Sequence, residues 1–346
     1  MSENICAARL VSVIIPAYNA ETTIAATIAS ALGQTHRHLE LIVVDDGSRD
    51  GTAAEIARLA RSDPRLRYIH QSNAGVAAAR NRGITEARGA FIATLDADDL
   101  WHPAKIERQL TRLDAAGPEA ALVYAWCCWV REDGMIAGRA PRLHHEGQVF
   151  AQMCLGNLIV SGSNALIRRE ALIEVGGFDA GLRARDGQGC EDWKLYLQIA
   201  HRHAIVGVPD YLIGYRIRSN SMSDDFGQMM RSRRLVEAEF LPIRPELVGE
   251  FAAGRAMLAR SLALRALRLG RYGMAMHLLA GYPFPTPRDL ALSGRWLLHS
   301  GVRTIARMLG AGGHDRAGDP VCRNGHPFVP PAVPTPPIAP DLARDL

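Results

Sequence analysis

The chain has 346 residues, 48% of them apolar, and a formal net charge of +4. That length suits one large domain or two smaller ones with a real core. The charge is too small to imply nucleic acid, no basic stretch alternates with aromatics as a single-strand binder requires, and no apolar run reaches membrane-spanning length.

Residues 1–10 lack the basic and apolar regions of a secretory signal, so a cytoplasmic protein with reduced thiols is expected. The six cysteines, Cys6, Cys127, Cys128, Cys154, Cys190 and Cys322, form no C-x-x-C pair, which argues against zinc.

Val11–Ile15 reads as a strand stopped by Pro16, with Asn19 expected to cap a helix carrying Ile24, Ile28 and Leu32. Residues 40–44 form a second, almost wholly apolar strand that runs into Asp45-Asp46-Gly47-Ser48. Thr52 is expected to cap the next helix. A third strand spans 66–70, and a small-residue helix with Arg80 and Asn81 spans 75–87. The apolar run 90–95 is a further strand and ends in Asp96-Ala97-Asp98-Asp99. Pro103 then opens a helix with Ile106, Leu110 and Leu113 on one face. Strand and helix alternate, which argues for a parallel sheet covered on both faces.

Carboxylates close in sequence repel one another unless a cation joins them, and a hard divalent ion that keeps open positions for phosphate oxygens suits them. The acidic clusters follow strands. Strand carboxyl ends of a parallel sheet share one rim, so separate clusters become one cleft. No G-x-G-x-x-G follows the first strand and no G-x-x-x-x-G-K-[ST] is present, so neither a dinucleotide site nor a P-loop is expected.

Ala120–Val130 reads as a buried strand. A loop-rich excursion follows over 134–147, whose His144 and His145 lack a completing ligand set. Residues 161–167 pass from small residues into a strand, and Gly176-Gly177-Phe178-Asp179 is a turn. Glu191 and Asp192 open a helix, where the macrodipole favours ionised carboxylates. Arg216 and Arg218 lie on one side of an extended segment and suit phosphate oxygens.

Taken in order, residues 13–19, 44–52, 73–75 with 79–81, and 95–99 closely resemble the family 2 glycosyltransferases, inverting enzymes of the GT-A fold. Residues 176–179 and Glu191-Asp192 resemble the acceptor-side motifs of that family. The likeness covers roughly residues 9–225. It implies an α/β, Rossmann-like nucleotide-diphospho-sugar transferase fold with a mostly parallel sheet. It also implies that Pro16, Ala17, Tyr18, Asp45 and Asp46 hold base and ribose, with Arg80 and Asn81 near the nucleotide. Asp96 and Ala97 would stand at the ribose, Asp98 would ligate Mn²⁺ or Mg²⁺ on the diphosphate, and Arg216 and Arg218 would assist. Asp192 would be the general base, supported by Glu191. Arg218 departs from the family, which often has histidine there.

The implied partners are a nucleotide-sugar donor, UDP-sugar favoured, and a glycan or lipid-linked acceptor, with no nucleic acid. A non-catalytic sugar- or nucleotide-binding protein on the same fold is the alternative. A sugar-phosphate nucleotidyltransferase is disfavoured, because no G-x-G-T-R segment follows the first strand.

The expected organisation is a catalytic domain over 1–225, with a nucleotide-sugar half at 9–115 and an acceptor half at 116–225. A helical region at 226–310 and a Pro/Gly-rich tail without fixed structure at 311–346 follow. Between Arg255 and Gly310 the arginines are numerous and Asp289 is the only acid. Such a module either rests on an anionic membrane surface, at the inner face of the plasma membrane, or caps the sheet with its arginines in water.

Overall fold

The computed structural model describes residues 9–218, 222–282 and 324–328. The first half alternates as its periodicity predicts: β1 (Val11–Ala17), α1 (Ile24–Leu32), β2 (Leu39–Asp45), α2 (Thr52–Ala60), β3 (Leu66–His70), α3 (Val76–Glu86) and β4 (Phe91–Thr94). Then come β5 (Leu100–Trp101), α4 (Lys105–Ala116), β6 (Ala120–Val130), β7 (Ile136–Arg139), α5 (Phe150–Leu155), β8 (Leu166–Arg168), α6 (Arg169–Glu174), α7 (Gly181–Ala184), α8 (Glu191–Arg202) and β9 (Ala204–Arg216). The helices α9 (Phe226–Phe240), α10 (Val248–Arg268) and α11 (Tyr272–Gly281) follow.

Among the described residues nine strands join one sheet in the order β3-β2-β1-β4-β8-β6-β9-β5, with β7 on the far part of β6. β1, β2, β3, β4, β6 and β9 run one way, and β5, β7 and β8 run against them. Every residue of β1 and β2 is buried. Successive side chains of a strand point to opposite faces, so Ile14, Ile42, Val44 and Ile92 enter one core while Val13, Ile15, Leu41, Val43 and Ala93 enter the other.

Some local expectations differ from the structure. Asn19 does not cap α1. It adopts φ 49°, a left-handed conformation that asparagine tolerates, and its Oδ1 accepts from Arg49 N at 2.8 Å. Thr52 is the first residue of α2 rather than its cap. Its amide and hydroxyl both donate to Asp50 Oδ1, and its Oγ1 accepts from Ala20 N. The helix after Pro103 begins two residues later, at Lys105. The 134–147 excursion contains β7, paired antiparallel to β6.

The C-terminal helices grip the sheet domain through a buried ionic network. Arg233 of α9 donates to Cys154 O at 2.7 Å, pairs with Glu237 at 2.7 Å, and lies 4.4 Å from the Trp193 ring centroid. Glu237 also binds Arg255 of α10. The helix expected over Asp289–Leu309 lies outside the described residues. The tail expectation is corrected in part, because Asn324–Phe328 docks on β7. Gly325 N donates to Ile136 O, His326 O accepts from Ile136 N, and Phe328 is fully buried.

Candidate functional site

Register brings the site together. Ala17 pairs with Asp45, Asp46 N donates to Ala17 O, and Leu95 N donates to Ile14 O. The segments leaving β1, β2 and β4 therefore stand side by side on one rim. An open cleft of ≈ 290 Å³ lies there, walled by Pro16, Ala17, Tyr18, Asp46 and Ala79. Tyr18 is 48% exposed, unusual for a large ring, and offers a face to a flat ligand.

The two aspartates of the Asp45-Asp46 pair do different work. Asp46 lines the cleft and accepts from Gln71 Nε2 and from the amides of Ala74 and Gly75 at 2.7–2.8 Å, which fixes the far wall. Asp45 is 1% exposed. It accepts from Ser48 N and Tyr68 Oη, and His70 Nδ1 lies 3.3 Å away. Burial alone would raise its pKa, but the bonds from Ser48, His70 and Tyr68 together hold it below the usual range. Asp45 thus organises the rim from behind. The opposite wall comes from Arg183 and Gln188, which the sequence reading missed. Gly75 has φ +93°, and a Cβ there would lie 3.0 Å from Arg183 Cδ.

Three neighbouring carboxylates also diverge. Asp99 is buried and accepts from Ser163 Oγ and from Arg216 N at 2.8 Å. Burial, then Asp98 and Asp96, push its pKa well up. Asp98 keeps 36% of its side chain exposed, with Arg218 Nη1 3.8 Å away. Burial and then Asp96 raise its pKa, and Arg218 opposes them. Arg216 departs from expectation, because its Nε donates to Asp98 O at 2.6 Å and its Nη1 to Arg131 O and Glu132 O. It braces the acidic turn, and Arg218 is the arginine that faces Asp98.

A divalent cation fits this turn. Asp98 is a partly exposed hard oxygen donor crowded by Asp96, with Arg218 at 3.8 Å as the facing cation. Among the described residues no group of three or more His, Cys, Asp or Glu forms a ready cage. A cation held by one or two carboxylates completes its shell from phosphate and water, as Mg²⁺ does in nucleotide sites.

Arg80, expected near the nucleotide, is 2% exposed and joins the two halves of the rim. Its Nη2 donates to Asp96 Oδ1 at 2.6 Å and its Nη1 to Glu191 Oε1 at 3.0 Å, while its Nε has no partner. Gly162 makes room for it, since a Cβ there would lie 2.5 Å from Nη2. Asn81, also expected near the nucleotide, binds backbone. It exchanges two hydrogen bonds with the Phe178 backbone and so ties the Gly176-Gly177-Phe178 turn to α3.

Asp192 is half-buried at the start of α8. Its Oδ2 accepts from Asn157 Nδ2 at 3.1 Å and its Oδ1 from Trp193 N. Burial and then Glu191 raise its pKa to about 7, with Arg80 pulling the other way. A carboxylate whose pKa is pushed up to about 7 suits general-base work. Asn157 was not legible as its partner, since nothing in the local sequence distinguishes it. Cys190 is buried, and burial lifts its thiol to about 12, which leaves it unreactive.

Rim, sheet order and helical layers define the class. The fold is the GT-A, nucleotide-diphospho-sugar transferase fold, shared with a crystal structure of S. aureus TarS 1–349 in complex with UDP-GlcNAc at a TM-score of 0.59. That match has 18% identity and covers 88% of this chain and 93% of that one. The model of the family described as Glycosyl transferase family 2 matches residues 12–176. A putative teichuronic acid biosynthesis glycosyltransferase, TuaG of Bacillus subtilis (strain 168), is 30% identical over 218 residues, covering 62% of this chain and 82% of that protein. The chain belongs to the family 2 glycosyltransferases. An uncharacterized glycosyltransferase of Rickettsia felis (strain ATCC VR-1525 / URRWXCal2) is 33% identical over 213 residues, 60% of this chain. The matched region spans only 33% of that larger relative.

Proposed function

We propose that the protein transfers a sugar from a nucleoside-diphosphate donor to an acceptor hydroxyl, with inversion and with help from a divalent cation. One observation carries the reading: Arg80 bridges the donor-side Asp96 to Glu191, the neighbour of a carboxylate that titrates near neutrality. Tyr18 and Asp46 would receive base and ribose. Asp98 would hold Mn²⁺ or Mg²⁺, which when bound offsets the charge that builds on the leaving diphosphate. Arg218 adds positive charge beside it. Asp192 takes the acceptor proton as the hydroxyl attacks the anomeric carbon from the face opposite the diphosphate. A single displacement inverts that carbon.

TarS, solved with UDP-GlcNAc, and the teichuronic acid relative support a UDP-sugar donor and a cell-surface glycan or lipid-linked acceptor. Among the described residues no helix is long and apolar enough to cross a membrane. Leu264, Leu267, Leu269, Tyr272 and Met276 are exposed on α10, α11 and the turn between them, and Arg268 and Arg271 lie in the same stretch. This combination suits attachment to anionic lipid, where each cation near the surface adds about 1 kcal/mol. Flotation with anionic and with neutral liposomes tests it: salt-sensitive binding to the anionic ones is expected, and equal absence from both removes it.

The deciding experiment is a donor screen that reads released nucleoside diphosphate with Mn²⁺, with Mg²⁺ and with chelator. Release from at least one nucleotide-sugar is expected with metal only. Asp192→Asn should still bind that donor and lose transfer.

A further inference from the structure

The acidic turn is held by Thr27 and Ser163 and, on its other flank, by β9. Arg216 N and Nε bind Asp99 and the Asp98 carbonyl, and His102 N donates to Leu212 O. Leu100 and Trp101, immediately after the acids, pair antiparallel with Gly214 and Ile213. One of the braces that fix Asp98 in space therefore runs through the last residues of β9, beside those from Thr27 and Ser163. The turn of the β6–β7 hairpin joins the same brace, because Arg216 Nη1 binds Arg131 O and Glu132 O.

The far side of this brace is closed by the tail. Asn324–Phe328 lies along β7 as an added edge segment, with Met135 bridged to Pro327 and Phe328 N donating to Gly134 O at 3.1 Å. The Phe328 ring is fully buried with Leu100, Trp126, Val130 and Tyr211. It lies directly on Gly214, where a Cβ would be 2.7 Å from Phe328 Cδ1. Glycine at 214, the residue paired with Leu100, thus leaves the space the ring fills.

We propose that the tail segment Asn324–Phe328 is a strap that holds the metal-binding turn in place, with Phe328 as a positioning residue for Asp98. The part that concerns metal rests on the donor reading above; the part that concerns the turn does not. Without the ring, the Leu100–Gly214 pair loses the packing on its outer face. The turn carrying Asp98 then loosens, while the distant parallel strands keep their contacts.

The test uses the full chain, its Phe328→Ala variant and its Phe328→Leu variant. Amide hydrogen exchange at Asp99, Leu100 and Trp101 is compared with exchange at Leu41–Val44. In Phe328→Ala the turn amides should exchange about ten-fold faster while those of β2 are unchanged, and Phe328→Leu should recover most of the protection. The Mn²⁺ concentration that half-saturates UDP binding should rise about ten-fold in Phe328→Ala, a local loosening rather than a global one. Parental exchange at the turn overturns the proposal, and so does an equal acceleration at the turn and in β2. If the parent protein shows no Mn²⁺-dependent UDP binding, the donor reading falls and the exchange data alone decide the strap.

Discussion

Arg80 Nη1 donates to Glu191 Oε1 at 3.0 Å across 111 positions of sequence. The same guanidinium binds Asp96, so one buried cation neutralises carboxylates from both halves of the rim. Such a pair adds little by existing but costs a great deal when halved, because the partner is left charged and dry.

Arg80→Met should therefore destabilise the fold by about 3–5 kcal/mol. Arg80→Lys should recover only part of this, since an ammonium cannot span both carboxylates as a planar fork does. Urea unfolding of the three proteins measures both. Equal stability of Arg80→Met and parent would dissolve the bridge as a structural element.

The raised pKa of Asp192, about 7, sets two opposed pH trends. A general base works ionised, so transfer should climb through about pH 7 and level off above it. Stability runs the other way. The folded carboxyl binds its proton more tightly than the unfolded one, so its contribution favours folding at low pH and is lost as pH rises through the folded value. Asp192→Asn should gain stability relative to the parent as pH rises toward 8, while transfer falls about 10²–10⁴-fold. Paired melting and rate profiles over pH 5–9 check both.

Asp98→Ala should remove the metal dependence of donor binding and leave the base-side contacts of Tyr18 and Asp46 intact. Calorimetry with UDP and with uridine, each with and without Mn²⁺, separates the two. Only the metal-dependent gain for UDP should vanish. Persistence of that gain would place the cation elsewhere.

Lys105 is fully buried, its Nζ has no hydrogen-bond partner, and it lies 3.8 Å from the Trp101 ring centroid. Burial pushes its pKa well down. The unfolded lysine holds its proton more tightly, so the parent gains stability as pH rises toward the unfolded value near 10. Lys105→Met should stabilise the protein by about 1–3 kcal/mol at neutral pH, with the advantage shrinking in alkali. Guanidinium unfolding at pH 7 and pH 10 measures it.

The sheet was legible because its signals are local. Residues 66–70 and 120–130 form strands with the bounds their apolar runs gave, and the acidic segments do follow β2 and β4. The division of labour among the carboxylates was not legible. Asp96, Asp98 and Asp99 carry the same local signal, and what sets Asp99 apart is a bond from Ser163, 64 positions away in the turn before β8. Arg80 looks from its own helix like any cleft arginine, and its partners lie 16 and 111 positions away. Phe328 sits in a stretch whose composition argues against order, and its socket exists because a residue on β9 has no side chain.

The direction of β8 has a further consequence. Because it runs against β4 and β6, its first residue, Leu166, stands opposite Ala93 near the carboxyl end of β4 and opposite Val123 in the first half of β6. The polypeptide leaves β6 at Val130, pairs back on it as β7, and enters β8 at Leu166, opposite Val123. The 35 residues between, 131–165, carry Asn157 to Asp192 and Ser163 to Asp96 and Asp99, so one excursion between strands touches both carboxylate groups of the mouth, and a change in its length is felt on the acceptor and donor sides together.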